Sequence, residues 1–334
     1  MDSFLARHLV AVERLTGQPL AGAERIGGGR NSRVYRLEGA RGGVWALKAV
    51  QPAAGDPRDR LGTEFLALAF LRAQGLCCLP EPLARDPGAG LGLFSFVPGP
   101  PPVPPSRDDA EQACAFLAAL GRLWDRPGAD GLPAAAEASF SLDQLGEQLR
   151  TRLARLVSAC PPGTETGAFL RECLAPALER ALAAALAAPG PPPGAVLPAA
   201  ARTLSPSDFG FHNALRAPGG LVFVDFEYFG WDDPAKTVAD LLLHPAVDLP
   251  VPLGRHIRDR LLAELPDPDR ALAARFHRLF PLYRLKWCII LLNEFLPEAL
   301  ERRRFADPGE PAESRRARQL QRCRLMLESL DHVP

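Results

Sequence analysis

Three side chains in the middle of the chain have types and spacing suited to chemistry. In LSPSDFGFHNALRAPGGLVFVDFEYFGWDDP (residues 204–234), four residues separate Asp208 from Asn213, and Asp225 follows twelve positions later, closing the apolar run 221–224. A loop carboxylate at 208 would orient an acceptor hydroxyl and take its proton. Asn213 offers an amide oxygen, and Asp225 a carboxylate, to a hard cation such as Mg²⁺. Residues 214–216 and 221–224, joined by Ala217-Pro218-Gly219-Gly220, read as a short β-hairpin that returns Asp225 beside Asn213. Phosphoryl transfer needs this set of groups. The same spacing also fits an ordinary loop and hairpin, with Asp225 as a turn former, so the elements upstream must decide.

Those elements begin with a helix at 3–16, whose stripe is Leu5, Leu9, Val12 and Leu15 and whose N-cap is Ser3. A strand at 23–26 runs into Gly27-Gly28-Gly29, and a second strand at 33–37 leaves it. Such a turn lets backbone N–H groups approach phosphate oxygens, and it also fits a flexible hairpin. It matches neither the Walker spacing nor a Rossmann turn, because no Gly-Lys-Ser/Thr follows and a strand comes next. A third strand, 42–50, carries Lys48 on the apolar face of Ala46 and Val50. A lysine there needs an anionic partner, since an unpaired buried ammonium is costly. Glu64, in a helix over 58–74 with a core stripe of Leu61, Phe65, Leu68 and Leu71, either faces the sheet and pairs with Lys48 or points to solvent. Two more strands are expected at 79–85 and 91–97.

The tract Pro98-Gly99-Pro100-Pro101-Pro102-Val103-Pro104-Pro105 reads as a stiff connector. Beyond it the pattern is helical: 108–124, 141–158, 166–187, then a strand-like entry at 196–204, and after the central stretch 235–244, 252–265, 269–296 with Pro281 inside, and 311–330. The expected organisation is a lobe at 1–97, a connector at 98–107 and a larger helical lobe at 108–334.

Composition narrows the function classes. Among 334 residues, Lys+Arg and Asp+Glu are equal at 39 each, so no global charge draws the chain to nucleic acid or membrane. No apolar run is long enough to span a bilayer, and the charged N-terminus is wrong for a secretory signal. Seven scattered cysteines read as reduced thiols in a cytoplasm. The arginines at 302–304, 315, 316 and 318 read as a solvated face.

The order of IGGGRNSRVYRL, VWALKAV, Glu64, FSFVPG, SDFGFHNAL and VDFEYFGWDDP resembles the aminoglycoside phosphotransferase and choline kinase superfamily. The resemblance implies an α+β, bilobal, protein-kinase-like fold, with an antiparallel sheet and one key helix in the N-terminal lobe and a mainly helical C-terminal lobe. It implies ATP and Mg²⁺ as cofactors and a small hydroxyl-bearing substrate, in a monomer or homodimer. By analogy Asp208 is the catalytic base and Asn213 and Asp225 are the metal ligands. Lys48, oriented by Glu64, holds the nucleotide phosphates, Gly27, Gly28, Gly29 and Asn31 form the glycine loop, and the backbone at Phe96 and Val97 meets the base. Two positions depart from the family: Pro206 stands where a His usually precedes the catalytic Asp, and Thr237 where many relatives have a bracing Asp.

For the acceptor, Tyr228, Trp231 and Trp287 could hold a quaternary ammonium by cation–π contact, and Glu227, Asp232 and Asp233 could bind amines. Arg284 and Lys286 would instead suit an anionic acceptor. All of these residues also fit a packed core or a helix start. The rival readings are a nucleotide-binding but catalytically degenerate relative that works by interaction, and a protein kinase proper. Against the latter, no Ala-Pro-Glu motif follows Asp225.

Overall fold

The computed structural model describes residues 3–28, 32–50, 59–299, 311–330 and 332–333; Gly29, Asn31 and Arg58 fall outside them. Its chain divides into two compact units, one built from Met1–Pro101 and Asn213–Tyr228, the other from Pro102–His212, Phe229–Leu300 and Glu310–Pro334.

The first unit opens with α1 (Ser3–Thr16), β1 (Leu20–Gly27), β2 (Ser32–Gly39), β3 (Val44–Val50), α2 (Arg60–Ala73), β4 (Pro82–Asp86) and β5 (Leu91–Ser95). The strands form one antiparallel sheet in the order β1-β2-β3-β5-β4. Leu5 and Val12 of α1 are buried with Tyr35, Leu37, Leu47, Ala49, Leu91 and Leu93 of the sheet. Each such leucine contributes roughly 1.5–3 kcal/mol relative to exposure. Helix α2 starts at Arg60 rather than at 58, because the Asp59 carboxylate caps it, accepting from the Gly62 N–H at 2.7 Å. Lys48 on β3 lies between Val34 of β2 and Gly92 of β5. A Cβ on Gly92 would come within 2.5 Å of the Leu61 side chain, so glycine lets α2 lie close to the sheet at the level of Lys48.

The hairpin β7 (Ala214–Ala217) and β8 (Gly220–Phe223) belongs to this same unit. Its edges are stitched to it: Phe223 donates to the Cys78 carbonyl and Arg216 to that of Pro100, both at 2.9 Å.

The second unit is helical. It holds α3 (Arg107–Gly121), α4 (Leu142–Ala159), α5 (Glu165–Phe169), α6 (Ala175–Ala187), α7 (Pro234–Leu243), α8 (Val251–Glu264), α9 (Leu272–Leu291) and α10 (Ala312–Glu328), with a two-stranded sheet of β6 (Thr203–Ser205) and β9 (Gly230–Asp232). The single helix expected over 166–187 is interrupted by a π turn at Leu170–Leu174, just before Pro176, which has no N–H for a regular turn. The strand expected over 196–204 shortens to β6, since Pro198 leads into a 3₁₀ turn at Ala199–Ala201. Helix α9 is buried on nearly every side and packs against α7. The architecture is thus α+β, with the antiparallel sheet in the N-terminal part and helices in the C-terminal part.

Candidate active site

In the first unit, the Lys48 ammonium meets three carboxylates: Asp225 Oδ1 at 2.6 Å, Glu64 Oε2 at 2.8 Å and Glu227 Oε2 at 3.2 Å. Glu64 also accepts from the Phe226 N–H at 3.3 Å, tying α2 to the chain that leaves β8. Arg60, at the start of α2, reaches Glu227 at 2.7 Å, hydrogen-bonds the Tyr228 hydroxyl and lies over the Tyr228 ring at 4.9 Å. Among the described residues, the cluster sets Asp225, Glu64 and Glu227 against Lys48 and Arg60 in a largely buried place.

Burial alone would lower the Lys48 pKa, but Asp225, Glu64 and Glu227 outweigh it and hold the ammonium well above its usual range. Burial pushes the Asp225 carboxyl up to about 7 against the pull of Lys48, with Glu227 and Glu64 adding to the rise. Of the Asp225 side chain, 27% stays accessible, whereas Glu64 and Glu227 are sealed. Asp225 has a left-handed backbone, φ 68°, unusual for a residue with a side chain. Asn213, at the end of a 3₁₀ turn, accepts from the Val224 N–H at 2.9 Å, so the hairpin brings Asn213 next to the residue preceding Asp225.

Gly27 ends β1. A Cβ on Gly28 would lie 2.4 Å from the Ser32 carbonyl oxygen, so that turn accepts no side chain. Gly29 and Asn31 lie outside the described residues. Phe96 and Val97 follow β5, half-buried, with the Arg36 guanidinium 5.4 Å from the Phe96 ring centre.

In the second unit, Asp208 follows β6 in a tight loop, its N–H bonded to the Pro206 carbonyl at 2.9 Å. Its Oδ1 lies 3.0 Å from His244 Nε2, and His244 stacks on His212 with ring centres 3.8 Å apart. Asp208, His212 and His244 each present one ligand atom within 4.8 Å of the others. Neither histidine was marked by sequence spacing, because His244 comes from the C-terminal end of α7, 36 residues further on.

Several residues expected at the acceptor make structural contacts. Asp232 is fully buried and paired with Lys236 at 2.5 Å, so its carboxylate is taken. Burial raises the Asp232 pKa while Lys236 and Lys286 oppose the rise. Asp233 caps α7 and pairs with Arg275 at 2.6 Å. Glu227 and Tyr228 belong to the Lys48–Arg60 cluster, where Arg60 covers the Tyr228 ring. The indole N–H of Trp231 bonds the Ala129 carbonyl and that of Trp287 bonds Asp240 Oδ1, each at 3.0 Å. Arg284 donates to the His332 carbonyl, and Lys286 reaches the Glu137 carbonyl at 3.3 Å. An Asp–Lys–Asp spacing of four (232, 236, 240), running from the end of β9 into α7, was the sequence signal for this ionic cluster.

The sequence matches the phosphotransferase enzyme family over residues 22–274. No curated protein matches it in sequence. Among solved structures it is similar to a choline/ethanolamine kinase family protein from Mesorhizobium loti, with 18% identity, a TM-score of 0.55 and 97% of each chain covered. A macrolide 2'-phosphotransferase from Brachybacterium faecium has 19% identity and a TM-score of 0.58, over 91% of this chain and 99% of that one. A spectinomycin phosphotransferase has 12% identity and a TM-score of 0.63, over 97% of each chain. These likenesses show the protein-kinase-like fold. With three quarters of its length matched, the chain belongs to the phosphotransferase enzyme family.

Proposed function

We propose that the chain transfers the γ-phosphate of ATP, with Mg²⁺, to a hydroxyl of a small molecule: an aminoglycoside, an amino alcohol or a sugar-like compound. The observation that carries this reading is the Lys48–Glu64–Asp225 cluster, with Asn213 one backbone hydrogen bond from Val224. The donors suit the group they would hold. Asn213 and Asp225 offer oxygen atoms to a hard cation, and Asp225 is the accessible acid of the cluster. Mg²⁺, when bound there, would neutralise charge on the nucleotide phosphates.

The protein's own groups divide the remaining work. Glu64 fixes the direction of Lys48, whose ammonium serves phosphate oxygens as a point charge. The Gly27–Gly28 turn keeps side chains away from those oxygens, and the segment at Phe96 and Val97 offers backbone groups to the base. Asp208 orients the acceptor hydroxyl and receives its proton, and His244 holds that carboxylate from the other side. Nucleotide binding is assigned to residues 1–97, joined by the connector 98–107 to the catalytic and acceptor lobe 108–334. The segment Asn213–Tyr228 folds with the first unit. The spectinomycin phosphotransferase holds ADP and spectinomycin, in keeping with a nucleotide and a hydroxyl-bearing acceptor.

All seven cysteines are free thiols, and among the described residues no helix is long and apolar enough to cross a membrane. Both facts fit the proposed cytoplasmic setting. The test is ADP release from Mg·ATP across pools of hydroxyl compounds. Acceptor-dependent release that disappears in Asp208→Asn supports the reading. Nucleotide binding with no turnover on any pool favours the degenerate relative, which Pro206 would explain.

A further inference from the structure

We propose that the buried Asp232–Lys236–Asp240 triad positions Asp208, through Ser207 on one side and through Trp287 and His244 on the other. The inference rests on Asp208 acting as the base.

Lys236 has no accessible surface. Its ammonium donates to Asp232 Oδ2 at 2.5 Å and Ser207 Oγ at 3.1 Å, and it is ion-paired with Asp240 Oδ2 at 2.8 Å. A cation so enclosed meets no ligand, and its action is internal. Replacing such a buried ionic group with apolar side chains is often neutral or stabilising, so stability alone is a weak reason for it. What the triad touches is the residue before the base. Ser207 has a left-handed backbone, φ 66°, which costs on the order of 1–3 kcal/mol for a non-glycine residue unless its surroundings impose it. Those surroundings are fully specified. The Ser207 hydroxyl accepts from Lys236 and donates to the Ala136 carbonyl at 2.6 Å, and its N–H donates to Ser205 Oγ at 3.0 Å.

The second arm starts at Asp240, whose Oδ1 accepts from the Trp287 indole at 3.0 Å. Trp287 meets the His244 ring edge-on, 4.6 Å between centres at 77°, and His244 Nε2 lies 3.0 Å from Asp208 Oδ1. One ionic stripe on α7 thus reaches both the backbone before Asp208 and its carboxylate. With proline at 206, support for this loop has to come from elsewhere, and α7 and α9 supply it.

Lys236→Met, Lys236→Arg, Ser207→Gly and Asp208→Asn would be compared by ADP-release kinetics, with the acceptor that the pools identify and with water. The second readout is ¹⁵N NMR of the His244 ring nitrogens, assigned with His244→Phe. Lys236→Met is expected to lower kcat about a hundredfold, the scale of a small misplacement, with KM for ATP within about twofold. Lys236→Arg should recover part of the loss. The His244 resonances should move in Lys236→Met as they do in Asp208→Asn. Ser207→Gly keeps the triad intact and should lose about tenfold in kcat, which keeps the test decisive if Lys236→Met does not fold. Wild-type kcat together with unmoved His244 resonances in a folded Lys236→Met or Ser207→Gly protein would overturn the proposal and leave Asp208 as the base. Full activity in Asp208→Asn would overturn the base assignment itself. If the wild type shows no turnover, the His244 resonances alone decide between the two results.

Discussion

The two units each bury a lysine among carboxylates, and the two clusters are built differently. Around Lys48, Asp225, Glu64 and Glu227 gather among the described residues, and one of these acids, Asp225, keeps 27% of its side chain accessible on a left-handed backbone. Around Lys236, Asp232 and Asp240 are nearly or wholly sealed, and a second lysine, Lys286, adds its charge nearby. A cluster of acids with one accessible member can take up a cation from outside. A sealed cluster can only hold its neighbours in place. Burial of a charge is therefore a poor guide to a binding site; the one open edge is a better guide.

Four perturbations separate the two roles, beginning with the largest. Asp208→Asn should lower turnover about 10²–10⁴-fold, the usual worth of a general base, with Mg·ATP binding retained by calorimetry. Lys48→Met should cut kcat/KM for ATP about 10²-fold or more, by the loss of charge stabilisation on the phosphates. Loss of the ammonium among Asp225, Glu64 and Glu227 should also lower the melting temperature, which scanning calorimetry would report. Unchanged kcat/KM in that variant would make the Lys48 cluster merely structural.

The sealed cluster makes a pH prediction. Burial, and then the neighbouring Lys236, brings the Lys286 pKa down to about 8, with Asp240, Glu137 and Asp232 opposing the fall. The folded state therefore prefers neutral Lys286, while the unfolded chain holds the proton up to about 10.4. The penalty is full below about pH 8 and is relieved as the pH rises toward the unfolded value. Over that window stability should rise relative to Lys286→Met by about 3 kcal/mol in urea titrations. A flat difference would show that Lys286 stays charged when folded. The smallest effect is expected at a helix cap. Ser141 caps α4, accepting from the Gln144 N–H at 3.2 Å, and Ser141→Ala should cost about 1 kcal/mol without altering turnover.

Much of the first unit was legible in the sequence because its signals are local. Strand alternation placed Lys48 on an apolar face, the α2 stripe placed Glu64 beside the core, and Pro218-Gly219-Gly220 marked the turn returning Asp225 toward Asn213. The pairing of Glu227 was silent in the sequence, because only its partner Arg60, 167 residues earlier, reveals that it joins the lysine's shell. The Asp208–His244 contact was silent for the same reason, since no periodicity links a loop to the far end of a later helix. Asp232 and Trp287 looked available to an acceptor because sequence shows residue type and not burial. The π turn before Pro176 escaped notice because the flanking residues are strong helix formers that hide a one-turn adjustment.

The central claim is that the open cluster is a nucleotide–metal site. Isothermal titration of the purified protein with ATP, with and without Mg²⁺ and alongside Asp225→Ala, tests it most directly. Mg²⁺-dependent binding that weakens by tenfold or more in Asp225→Ala, about 1.4 kcal/mol, is the predicted result. No binding by the folded wild type, or binding indifferent to both Mg²⁺ and Asp225, would contradict it.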